Sequence, residues 1–156
     1  MEPLAALFDA IDGPDDQKRV GAYLAVLART DTPADVYAQW ERLTAFLTSK
    51  NNHIRSIGGQ LVAHLASSDP EGRVWGLWDR WTNLTRDPMF VTARHTLQRS
   101  PQFALAGVEH RRRLIDFYQQ RFHDCTADKN TTLIRYDLQV CLRQIFDQRP
   151  DPALAD

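Results

Sequence analysis

The sequence predicts an all-α domain of stacked antiparallel helix pairs, about four in number. Three observations carry this prediction. Apolar residues recur at spacings of three and four in one segment after another. Helix-starting and helix-stopping residues punctuate those segments at short intervals. Asn-Gly and Asp-Gly hairpin turns between alternating apolar runs do not occur in the 156 residues.

The elements follow in order. Pro3 suits a first helical position, Leu4, Leu7, Phe8 and Ile11 form a stripe, and Gly13-Pro14 ends a helix over 3–12. A second helix over 15–29 starts on Asp15 and Asp16 and turns Val20, Leu24 and Leu27 inward. Thr32 caps a third, over 33–48, with Val36, Trp40, Leu43 and Leu47 on one side. The fourth, over 52–66, aligns Ile54, Ile57, Leu61 and Leu65 but contains Gly58-Gly59. Two interior glycines cost about 2 kcal/mol against alanine, so a close helix–helix approach is expected there.

Asp69-Pro70 opens a fifth helix, over 69–84, which carries Trp75, Leu77, Trp78, Trp81 and Leu84. Asp87-Pro88 opens a sixth, over 87–99, that Ser100-Pro101 stops, and a short turn follows over 101–106. The seventh covers 108–123 and the eighth 130–148. Connections of two to six residues favour antiparallel neighbours within one domain, 1–149, followed by a loose tail, 150–156.

Composition narrows the function classes. A net charge of −1 advertises neither nucleic acid nor a membrane. Residues 1–50 carry eight acids and five bases, whereas residues 51–149 carry ten acids and fourteen bases, a mildly basic balance. Sixteen of the nineteen bases are Arg, a side chain suited to bidentate carboxylate or phosphate contacts. Two cysteines, Cys125 and Cys141, cannot form the framework of a disulfide-dense secreted domain. The start Met1-Glu2-Pro3-Leu4 lacks the basic and apolar regions of a signal peptide, and no apolar run approaches about 18 residues. A cytoplasmic protein without a membrane partner is the expectation.

A repeat underlies the pattern. Ile54-Arg55, Ala93-Arg94 and Ile134-Arg135 each place a small or apolar residue before an Arg, and Gln60, Gln98 and Gln139 follow by four or five positions. The arginines are 39 and 41 residues apart, and Gly21-Ala22-Tyr23-Leu24 matches Gly58-Gly59-Gln60-Leu61 at a spacing of 37. Asn51, Asp87 and Asp128 precede the three arginines. This pattern and its period resemble the second helices of HEAT repeats, most clearly over 33–148. Armadillo-like and other helical-pair solenoids share these features. The resemblance implies an α–α superhelix whose first helices lie outside and whose second helices line a concave inner layer.

By that resemblance, Arg55, Arg94 and Arg135 either form a structural ladder with Asn51, Asp87 and Asp128, or present guanidinium groups to a partner. In the second case Gln60, Gln98 and Gln139 share the same wall. Trp75, Trp78 and Trp81 read as core between the layers or as an aromatic platform. HEAT-like DNA alkylpurine glycosylases use concave aromatics with a carboxylate, and Asp79 lies among these tryptophans. Arg111, Arg112 and Arg113 span too much of a helix's circumference to form one flat patch.

The five histidines never fall at the i, i+4 spacing of a helical zinc site, so no metal or other cofactor is expected. No nucleophile elbow or phosphate loop occurs either. The implied function is a non-catalytic protein-binding or scaffold module. A nucleic-acid-binding protein of the alkylation-repair kind and a homo-oligomer subunit are the alternatives.

Overall fold

In the computed structural model, residues 1–125 and 130–148 are described, and they contain helices and turns but no strand. Asp128 and the tail 150–156 lie outside the described residues. Among the described residues nine α-helices form: α1 Leu4–Asp12, α2 Asp16–Leu27, α3 Pro33–Ala38, α4 Trp40–Phe46, α5 Asn52–Leu65, α6 Trp78–Asn83, α7 Phe90–Arg99, α8 Val108–Asp124 and α9 Thr131–Gln148. Local chemistry explains most boundaries. Asp15 accepts from the backbone N–H groups of Gln17 and Lys18, and Thr32 accepts from that of Asp35. Asn51 accepts from the N–H of His53 and so caps its own helix.

Two expected helices begin late. Asp69 does not open a helix; its carboxylate accepts from the N–H groups of Arg73 and Val74 and closes a turn in which Gly72 is left-handed, at φ 69°. The chain then runs as a 3-10 turn over Arg73–Leu77 before α6 begins. Asp87 likewise accepts from the N–H of Met89, which delays α7 to Phe90. The helix expected over 33–48 is split at Gln39, whose φ of −106° and ψ of 9° leave the helical region. The turn expected over 101–106 is a longer 3-10 segment, Ser100–Ala106.

Four helices pack on one another in succession: α2 on α5, α5 on α7, and α7 on α9. Side-chain bonds between them fall at sequence separations of 37 to 40. Tyr23 donates to Gln60, 37 residues on, Ser56 meets His95 at 39, and Thr92 donates to the carbonyl of Asn52 at 40. Gly58 and Gly59 sit at the tightest approaches. A Cβ on Gly58 would lie 2.7 Å from the Phe46 Cβ, and one on Gly59 would lie 2.6 Å from the Thr96 Oγ1.

One core runs through all of this, from Leu4, Phe8 and Ile11 to Leu138 and Ile145. Its middle is filled by the Ser100–Ala106 segment, which packs on α5, α7, α8 and α9. Phe103 is fully buried there, against Trp75, Trp78, Trp81 and His110. Trp81 also donates its indole N–H to the carbonyl of Gly59 at 2.8 Å. Replacing Trp81 by Phe removes that hydrogen bond and leaves part of the indole's volume unfilled, while the Gly59 carbonyl keeps its place in the α5 ladder. A loss of about 1–3 kcal/mol in denaturant unfolding is the expected outcome.

His110 is the titratable group in this aromatic cluster. Its ring centroid lies 4.6 Å from that of Trp75, and its Nε2 is buried without a hydrogen-bond partner. Burial lowers its pKa below the ordinary 6.5, and the charges of Asp69 and Glu109 only partly oppose this. The unfolded chain therefore binds the proton first. Stability is full above pH 6.5 and declines as pH falls through that value towards the lower folded pKa. Denaturant melts at pH 7.5 and 5.5 should show this decline, and His110→Phe should reduce it.

Candidate cleft between α2, α5 and α7

The arginine row can be followed residue by residue. Arg55 on α5 donates from Nε and Nη2 to both carboxylate oxygens of Asp87, at 2.8 and 3.0 Å. Arg94 on α7 grips Asp137 on α9 in the same way, at 2.8 and 2.9 Å. These hydrogen bonds raise the pKa of both guanidinium groups. Arg135 stands on α9, and among the described residues no carboxylate pairs with it. Its guanidinium lies 4.9 Å from the centre of the Phe122 ring, and its Nε is buried without a hydrogen bond. The structure thus joins Arg55 and Arg94 to Asp87 and Asp137, and does not bring the three arginines to one ligand position.

The three glutamines diverge as well. Gln60 is buried, donates to the carbonyl and hydroxyl of Ser56, and accepts from Tyr23. Gln98 is exposed beside Gln102 and Gln148, in a shallow polar depression. Gln139 is exposed on α9.

A different group of side chains forms a concave surface. Asp16, Arg19, Val20 and Tyr23 from α2, His53, Ser56, Ile57 and Gln60 from α5, and His95 from α7 enclose a cleft of about 290 Å³. Its exposed lining is mostly apolar, supplied by Val20, Tyr23 and Ile57. Its polar floor is already satisfied. Gln60 donates to the Ser56 oxygen, which lies 3.2 Å from the Nδ1 of His95. Arg19 is buried because it closes the end of α1, donating to the carbonyls of Ile11 and Gly13 and pairing with Asp16.

The Ser56–His95 contact has the atoms of a nucleophile–base pair but not the arrangement. Among the described residues no carboxylate bonds the other ring nitrogen of His95, and Ser56 sits inside α5, away from the free N–H groups of a helix start. The cleft can therefore bind through shape and apolar contact, with Ser56, Gln60, Tyr23 and His95 fixing its floor.

Other candidate chemistry resolves into packing. Trp81 is buried, while Trp75 and Trp78 are half-buried, with the guanidinium of Arg113 at 4.9 and 5.1 Å from their ring centres. Asp79 is exposed. Arg112 pairs with Glu109 on its own helix. Both cysteines are buried and free, and burial pushes the Cys141 thiol up to about 11. Native protein at pH 8 should accordingly leave Cys141 unlabelled by a thiol reagent until it is unfolded. Among the described residues, no three His, Cys, Asp or Glu side chains are grouped to hold a metal, and no helix is long and apolar enough to cross a membrane.

Sequence reading missed the cleft residues except Gln60, yet the spacing of 37 contained all of them but His95. Asp16 and His53, Arg19 and Ser56, Val20 and Ile57, and Tyr23 and Gln60 are each 37 residues apart. They are equivalent positions on α2 and α5, brought face to face when the two helices pack. No family model matches the chain, and neither does a curated protein or a solved structure.

Proposed function

We propose that this protein is a non-catalytic binding module, a HEAT-like stack whose inner helices α2, α5, α7 and α9 receive a protein partner. The observation that carries this reading is the cleft between α2, α5 and α7. It has apolar walls, a polar floor with its bonds already made, and no arranged catalytic group. Such a cleft suits an apolar side chain presented by a partner, with His53 and His95 at the rim. The order of the inner helices and the bonds at spacings of 37 to 40 support the superhelical arrangement. The pairing of Arg55 with Asp87 and of Arg94 with Asp137 weighs against a phosphate-binding wall, since each guanidinium already holds a carboxylate through two hydrogen bonds.

The test is a pull-down from native extract with and without nuclease, using wild type and the variant His53→Glu/His95→Glu. Both histidines are exposed, so the fold should persist. The expected result is a protein retained after nuclease treatment and lost with the variant. Retention that vanishes with nuclease, together with DNA affinity falling steeply as salt rises, would refute the reading in favour of nucleic acid.

A further inference from the structure

The floor of the cleft holds a relay of hydrogen bonds whose direction is fixed at Gln60. One edge of the Gln60 amide faces both the carbonyl and the hydroxyl of Ser56, at 3.1 and 3.2 Å. A backbone carbonyl only accepts, so the edge facing it is the Nε2 amide group and the other edge is Oε1. Tyr23 therefore donates its phenolic proton to Gln60. The Ser56 oxygen accepts from Gln60, and among the described residues its own proton has one acceptor, the Nδ1 of His95 at 3.2 Å. A neutral imidazole with a bare Nδ1 carries its proton on Nε2. The relay thus runs from α2 through α5 to α7 and ends in an N–H donor on an exposed ring of the cleft lining.

The other polar groups of the lining leave that donor without competition. Asp16 and Arg19 pair with each other, and Arg19 spends its remaining donors on the carbonyls of Ile11 and Gly13. What stays open is two imidazoles, His53 and His95, both exposed and neither paired with a carboxylate among the described residues. An N–H donor holds a charged acceptor more strongly than a neutral one, so a carboxylate is the group that completes the site. A phosphate is the poorer match, because the guanidinium of Arg19 has no open fork to offer it. Val20, Tyr23 and Ile57 behind the donor supply apolar walls, which suit a side chain and not a sugar–phosphate backbone.

We infer that the cleft reads a two-part signal in a partner protein: an apolar side chain that fills it, and an adjacent Asp or Glu carboxylate that accepts from the Nε2–H of His95. Ser56 is the positioning residue that keeps that proton on the outer nitrogen. This inference rests on the binding role proposed above and specifies the partner's chemistry.

The test is nuclear magnetic resonance on the full chain, with its imidazoles labelled with nitrogen-15. Three capped peptides serve as probes at pH 7.5: Ac-Glu-Phe-Glu-NH2, Ac-Gln-Phe-Gln-NH2 and Ac-Glu-Ala-Glu-NH2. Before any peptide is added, His95 should show the Nε2–H tautomer. The first peptide should shift the His95 signals and bind about fivefold or more tightly than either of the others. In His95→Phe, at an exposed position, the first two peptides should bind alike. In Ser56→Ala the tautomers of His95 should mix, and the preference for the first peptide over the second should narrow to about twofold or less.

Equal binding of the first two peptides to wild type, or an Nδ1–H tautomer in the free protein, would overturn the inference while leaving the cleft as an apolar binding site. Displacement of the first peptide by an equal concentration of inorganic phosphate would overturn it in favour of a phosphate ligand. Equal binding of the first and third peptides, or binding of none, would overturn the inference together with the apolar cleft on which it rests.

Discussion

Replacing Arg94 with Met should destabilise the protein by about 3–5 kcal/mol, the cost of leaving a buried carboxylate unpaired. Asp137 has a side chain only 3% exposed, and Arg94 supplies both of its close hydrogen bonds. Methionine fills much of the same volume, so the loss reports the stranded charge and not a cavity. The reverse change, Asp137→Ala, should cost less. The Arg94 side chain remains 29% exposed and its head can turn to water. Urea unfolding of the two single variants and of the double variant checks this asymmetry. The double variant should recover part of the Arg94→Met loss, because no charge is then left buried. Equal losses in the two single variants would contradict a load carried by desolvation of Asp137.

The second large effect is expected at Gly58. Gly58→Leu should cost about 3 kcal/mol or more by overpacking, despite leucine's better helix propensity. The Cβ alone would fall 2.7 Å from the Cβ of Phe46 and 3.2 Å from its backbone carbon, and neither atom can swing aside. The same leucine at Gly21 meets nothing. Matched thermal melts of the two variants at low concentration should therefore move in opposite directions. A Gly58→Leu protein as stable as wild type would show that α4 and α5 separate more readily than this contact implies.

These two sites also show how much of the molecule was legible. The glycine pair announced a close helix approach because a mid-helix glycine needs a reason, and Phe46 and Thr96 are that reason. The arginine row reads as a ladder or as a binding wall, and Arg55–Asp87 is a pair of the ladder kind, joining α5 to the turn before α7. Arg94 was harder. Its partner Asp137 lies inside α9, six residues past the helix start at Thr131, and a linear pattern points only to the acidic residue that precedes the helix. The late starts of α6 and α7 came from Asp69 and Asp87, whose carboxylates bond the backbone ahead of them and compete with helix formation. The split at Gln39 is marked by neither proline nor glycine, so nothing local forecast it. The cleft was hidden for another reason. Its lining is ordinary on each helix and becomes a surface only when positions 37 apart are superposed.

The segment Ser100–Ala106 has a consequence for how the chain comes apart. Arrays of repeats can often be shortened at a seam, because each unit leans only on its neighbours. Here Phe103 is a keystone shared by the middle and the end of the chain, so no clean seam exists beyond α5. Removing α8 and α9 would bare the keystone and the tryptophans around it together. Melting of the whole chain should then register as one all-or-none event, with tryptophan fluorescence and helical signal lost at the same temperature, and not as units peeling away in turn.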